Sequence, residues 1–154
     1  MRHPALIPLS HDHHHGLALA LRCRKQALGQ LKPLGAAGLR ERASECLEFY
    51  AKNLLAHFRA EEEVLFPALR RAAPQCAAII DELLSQHREI SSLICRVEAG
   101  SGSAKLIFDL GDLLERHIRK EERELFPIFE DRAAELQAER IGAEMKKILE
   151  PPRF

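Results

Sequence analysis

The sequence predicts an all-α protein, an antiparallel up-down four-helix bundle with a short C-terminal helix. Three observations lead there. Apolar residues recur at three- and four-residue steps, as in Ile80, Leu83, Leu84, Ile90 and Ile94, or Leu106, Leu110, Leu113, Leu114 and Ile118. No segment alternates with period two over a useful length. Breakers stand at intervals that leave long helices joined by short turns: Pro33 and Gly35, Pro74, Gly100 to Ser103, and Pro151-Pro152.

Each element can be justified in order. Ser10 suits the cap of a first helix that runs to about Gln30, with its apolar face centred on Leu9, Leu17, Leu21 and Leu28. A second helix is expected from near Ala37 to about Arg71, with Pro67 kinking or loosening its last turns. Pro74 fits the first turn of a third helix that stops at Gly100. Ser101-Gly102-Ser103 makes the next turn, with Ser103 as cap of a fourth helix reaching about Asp131 and carrying Pro127 near its end. A short fifth helix covers roughly Ala133 to Leu149. The 154 residues read as a single domain, 1–154.

Composition narrows the function. Twenty-three basic and 23 acidic side chains give a formal net charge of zero, which disfavours nucleic-acid or membrane-surface binding. Aromatics are 5% and Trp is absent, so stacking platforms for bases are not expected. The N-terminus has no apolar signal region, and runs such as Gly16 to Leu21 are too short to span a bilayer, so a cytoplasmic protein is expected. Cys23, Cys46, Cys76 and Cys95 form no C-x-x-C pair and read as buried or half-buried thiols.

Two segments repeat. Residues 57–67 read HFRAEEEVLFP and residues 117–127 read HIRKEERELFP. On a helix, residues four apart differ by about 40°, so His57 shares a face with Glu61 and His117 with Glu121. Glu62 and Glu122 fall about 140° from those histidines, largely off that face. Leu54, Phe58 and Leu65 flank the first pair and Leu113, Leu114 and Leu125 the second, so both pairs point into the core. A single such pair is ordinarily a rim hydrogen bond. Two identical ones on core faces are different, because buried carboxylates are costly unless paired or bound to a cation.

The first and third helices add imidazoles. His87 lies on the Ile80, Leu83, Ile90, Ile94 stripe. The run His11-Asp12-His13-His14-His15 supplies one more, and two candidates stand. The helical moment favours His13, whereas the placing of Leu17 after His14, like Ile90 after His87, favours His14. About four imidazoles and two carboxylates at one level suit iron, manganese or zinc, and two carboxylates from alternate helices can bridge two metals. The Glu-x-x-His spacing of ferritin-like sites is absent, since Leu54, Leu84 and Leu114 stand three before His57, His87 and His117.

With Leu9–Leu17, Gln86–Ile90 and the paired H-x-x-x-E-E-x-x-L-F-P segments, the chain resembles the hemerythrin-like HHE domains over nearly its whole length. The resemblance implies two non-haem iron ions bridged by two carboxylates and an oxo or hydroxo group. It implies His57, Glu61, His87, His117 and Glu121 as ligands, with His13 or His14 from the first helix. It also implies oxygen, peroxide or nitric oxide as the small ligand, in storage, sensing or stress defence. One departure stands out. Oxygen-carrying hemerythrins have two histidines four apart on the third helix, whereas Leu83 and Ser91 flank His87 here. That weakens simple oxygen carriage and leaves room for a di-iron redox enzyme, resembling the iron–sulfur repair relatives or consuming peroxide.

Overall fold

The computed structural model describes residues 1–100 and 102–150. Ser101 of the expected turn and the terminal Pro151-Pro152 lie outside the described residues. All regular structure among the described residues is helical. A 3-10 turn, Pro4–Leu6, leads into α1, Ile7–Ala27. Helix α2 runs without a break over residues 35–72, and α3 is Ala77–Glu98 after the 3-10 turn Pro74–Cys76. Helix α4 covers residues 104–131, and α5, Ala133–Leu136, and α6, Ala138–Leu149, follow.

Side-chain pairs fix the topology. His13 meets His57 while Cys23 meets Cys46, so α1 and α2 run antiparallel. His87 meets Glu62 and Ser91 meets Tyr50, which sets α3 against α2 in the same sense. Gln86 meets His117 and Glu82 meets Lys120, so α4 returns beside α3. The expected up-down bundle is present.

Several local expectations are corrected. Ser10 is not a cap: α1 begins earlier, behind a turn in which His3 Nδ1 accepts from the Ala5 N–H at 3.0 Å. The Ser10 hydroxyl instead donates to Glu122 at 2.7 Å. Helix α1 ends at Ala27 rather than Gln30 because Gly29 takes a φ of 73°. Gln30 N–H then bonds the Lys25 carbonyl and Gly29 N–H the Gln26 carbonyl, a Schellman closure. The buried face of α1 is Leu9, His13, Gly16, Leu19, Ala20 and Cys23, while Leu21 and Leu28 are exposed. Ser103 caps α4 as expected, accepting from Leu106 N–H at 3.2 Å. The expected single C-terminal helix is broken by Gln137, whose φ of 53° is left-handed. Cys23, Cys46 and Cys76 are buried, but Cys95 is exposed.

Pro67 and Pro127 sit within continuous helical backbone that is loosened just before them. Each follows a π-helical turn, Glu61–Leu65 and Glu121–Leu125, closed by Phe66 N–H on the Glu61 carbonyl and Phe126 N–H on the Glu121 carbonyl. The wide turn spends its last N–H just before the proline, which has none to give. A further π-helical turn, Tyr50–Leu54, lies earlier in α2.

The core has two apolar parts. One gathers Leu6, Leu9, Phe66, Leu69, Ile80, Leu83, Phe126 and Phe129 with Leu136, Ile141 and Met145 of the C-terminal helices. The other gathers Leu19, Cys23, Cys46, Leu54, Phe58, Ile90, Ile94, Leu110 and Leu114. His13, His57, Glu61, His87, His117 and Glu121 are buried between residues of these two parts.

Candidate metal centre

Each element of the bundle contributes one imidazole. His13 comes from α1, His57 from α2, His87 from α3 and His117 from α4; all four are at most 3% exposed. Glu61 and Glu121 are fully buried and stand at the start of the two π-helical turns. His14, the other first-helix candidate, is exposed and outside the group, as are His11 and His15. One position along a helix turns the side chain by about 100°, which carries His14 away from the partners that His13 meets.

The donors fall into two overlapping groups, His13–His57–Glu61–Glu121 and Glu61–His87–His117–Glu121, each with ligand atoms within 4.8 Å of one another. Both carboxylates belong to both groups, so they are placed to bridge two cations. Nε2 of His87 lies 3.1 Å from Glu61, that of His13 3.2 Å from Glu121, and that of His57 3.4 Å from Glu61. None of these contacts has hydrogen-bond geometry. All four Nε2 atoms and all four oxygens of Glu61 and Glu121 are buried without a partner. A folded protein leaves only a few such atoms unsatisfied, and eight converging on one volume fit a cation-binding site. Nitrogen and carboxylate donors without thiolate suit iron, manganese or zinc.

The outer nitrogens explain the inward aim. Nδ1 of His13 donates to Glu122 at 2.6 Å, that of His57 to Asp12 at 3.0 Å, that of His87 to Glu62 at 2.7 Å, and that of His117 to Gln86 at 2.8 Å. A proton held on Nδ1 leaves the Nε2 lone pair facing the centre. The sequence reading missed this role for Glu62 and Glu122. They do lie off the core, with side chains 45% and 24% exposed, yet each reaches the imidazole of the neighbouring helix. The E-E doublet of the repeat was the available signal. Aromatic rings complete the pattern: Phe126 stacks on His13 and Phe66 on His87, while Phe58 lies 3.8 Å from His87.

The third helix offers no second imidazole to the group. Leu83 is buried in the apolar core, and the Ser91 hydroxyl is bonded to the Tyr50 hydroxyl at 2.8 Å.

The converging groups shift one another's protonation. Burial opposes protonation of His57, yet the Glu61 charge and the Asp12 bond outweigh it and hold the imidazole well above its usual range. His13 and His87 are raised in the same way, against burial, by Glu121 with Glu122 and by Glu61 with Glu62. Burial pushes His117 down to about 3; Glu121 opposes this, and the neighbouring imidazoles add to it. Burial and the Glu121 charge push Glu61 up, whereas contacts from Glu61, His13 and His57 overcome burial and hold Glu121 well below the usual carboxylate range.

A protein named DNA nickase from Nostoc sp. (strain PCC 7120 / SAG 25.82 / UTEX 2576) is 33% identical to the chain over 99 residues. Those residues are 62% of this chain but only 28% of that protein. No solved structure matches the chain. Residues 6–129 match the family described as the hemerythrin HHE cation-binding domain, a span that holds all six converging residues. The chain belongs to the hemerythrin HHE cation-binding domain family.

Proposed function

We propose that the chain holds a carboxylate-bridged, non-haem di-iron centre that engages oxygen or a related small ligand, nitric oxide or peroxide, in storage, sensing or stress defence. The observation that carries this reading is the set of eight buried, unpartnered donor atoms on two shared carboxylates and four imidazoles. His13 and His57 would hold one iron, His87 and His117 the other, and Glu61 and Glu121 would bridge them. When bound, such a pair supplies two-electron redox chemistry and open coordination positions. The chain's residues supply the rest: Asp12, Glu62, Gln86 and Glu122 hold the Nδ1 protons, and the apolar clusters keep bulk water out.

Two further features favour a small ligand. With two imidazoles and two bridging carboxylates, each position has four protein donors, fewer than an octahedral iron accepts. A cavity of 10 Å³, lined by Leu54, Ile90, Leu114, Cys23 and Cys46 among others, has room for about one water-sized molecule. Leu54, Ile90 and Leu114 stand one turn from His57, His87 and His117.

Anaerobic reconstitution with ferrous iron tests the reading. We expect two irons per chain, and after oxygen the near-ultraviolet bands of an oxo-bridged ferric pair. Saturation at one metal, or at none, sinks it. The absence of a second third-helix imidazole favours a redox enzyme over a carrier as the second reading. Steady peroxide turnover, abolished by His117→Ala, would favour the enzyme; reversible oxygen uptake would restore the carrier.

A further inference from the structure

The centre has an internal two-fold pattern with one break in it. His57, Glu61, Glu62 and Phe66 of α2 correspond to His117, Glu121, Glu122 and Phe126 of α4. Asp12-His13 of α1 corresponds in the same way to Gln86-His87 of α3. The hydrogen bonds obey this pattern: Glu122 holds His13 as Glu62 holds His87, and Asp12 holds His57 as Gln86 holds His117. Chemically, though, Asp12 is a carboxylate and Gln86 a neutral amide.

We propose that Asp12, standing opposite the neutral Gln86, makes the two cation positions unequal, so that the His13–His57 position is the tight one and fills first. The inference rests on the two-metal reading above. An imidazole whose Nδ1–H is held by a carboxylate is a stronger donor at Nε2 than one held by an amide oxygen. The Asp12 charge also acts directly on the cation, through surroundings that screen it little, since its side chain is 14% exposed. Asp12 accepts only neutral or imidazole donors among the described contacts: His57 at 3.0 Å and Asn53 at 3.3 Å.

The remaining outer charges do not cancel this difference. Glu122 carries a cation of its own, Arg2 at 3.4 Å, and accepts from Ser10, which offsets part of its negative charge. Glu62 is the more exposed of the two and is more screened by solvent. Lys120, beside Glu121 in sequence, is occupied by Glu82 and Glu124. Asp12 against Gln86 is therefore the least exposed charge difference between the two halves, and Asp12 is a positioning residue that acts through His57.

Anaerobic titration with cobalt(II), followed by its visible absorption bands and by calorimetry, reads the two positions without turnover. His57→Ala and His117→Ala assign each step to its position. The wild type should bind in two resolved steps, the tighter lost in His57→Ala. Asp12→Asn, which keeps a hydrogen-bond acceptor, should weaken that step about 10–100-fold and leave the other within a few fold. Gln86→Glu should tighten the weaker step, and the double exchange should reverse their order. Circular dichroism of the metal-free variants checks that the bundle is intact. Equal weakening of both steps by Asp12→Asn, or two steps that do not respond to either exchange, overturns the proposal while leaving the two-metal reading standing. A wild type that takes up no cobalt and no iron overturns both.

Discussion

Glu62 and Glu122 show what a face argument on a single helix reaches. The angle of about 140° from His57 and His117 rightly takes them off the core. What it does not contain is the neighbouring helix, whose His87 and His13 come within 2.7 and 2.6 Å of them. Two tiers of loss are therefore expected. On the two-metal proposal, Glu61→Ala and Glu121→Ala would remove a bridge and should cost at least one metal per chain, read by metal analysis after dialysis. Glu62→Ala and Glu122→Ala should keep two metals but bind them about 10–100-fold more weakly. Equal losses across all four would show that the inner and outer roles are wrongly divided. The choice between His13 and His14 was open for a related reason. The buried face of α1 relies on Gly16, Ala20 and Cys23, small residues that a search for leucines passes over, and two of the leucines that drew attention are exposed.

Titration belongs at the same scale. His13, His57 and His87 are raised above 6.5 in the metal-free fold, so the stability they contribute is complete below 6.5 and is lost as pH rises through their folded values. His117, lowered to about 3, opposes them and offsets part of this. Glu121 is lowered, so its contribution is complete above 4.5 and is lost as pH falls through its folded value. Glu61 is raised and adds to the loss with rising pH, so the metal-free protein should be more stable near pH 5.5 than near pH 7.5. Bound metal would take the place of those protons and so oppose this trend. Thermal melts by circular dichroism at pH 5.5 and 7.5, with and without iron, read this directly. A metal-free form more stable at pH 7.5 than at 5.5 contradicts it.

Among the elements, α1 and α4 owe their close approach to glycine. A Cβ on Gly111 would lie 2.8 Å from the Ala20 carbonyl oxygen and 2.8 Å from the Cys23 Cβ, neither of which can swing aside. Gly111→Ala gains helix propensity but forces the helices apart. The expected net loss is about 1–2 kcal/mol, measured by denaturant unfolding. An unchanged or raised midpoint would mean that the helices slide past the methyl at no cost. The π-helical turns at Glu61 and Glu121 were not legible in the sequence. Proline at 67 and 127 announced a disturbance, but whether a helix kinks or widens depends on what its neighbours hold in place. Here the widened turns present Glu61 and Glu121 inward and Glu62 and Glu122 outward toward α3 and α1. The break at Gln137 carried no signal either, since glycine or asparagine would ordinarily mark a left-handed residue.

At the scale of the whole molecule the bundle was legible because it depends on many weak signals that agree: the apolar periods, the breakers and the duplicated motif. Those same apolar clusters should keep the helices formed without metal, while the buried glutamates and histidines make that state less stable. Iron at about 100 times its dissociation constant should add about 2.7 kcal/mol to unfolding. Loaded and metal-free protein melting together would show that the His/Glu group does not bind metal.

Enclosure has its own consequence. His57, Glu61 and Glu121 are 0% exposed and His117 1%, so no chelator in solution can touch the first ligand of a bound ion while the helices stay packed. Departure of the metal then has to wait for the bundle to breathe. The rate of removal should rise with chelator concentration only until it meets the opening rate, and beyond that plateau it should be the same for a strong chelator and a weak one. How long the ion stays would then be decided by the packing of leucines and phenylalanines several ångströms away from it as well as by the bonds that hold it.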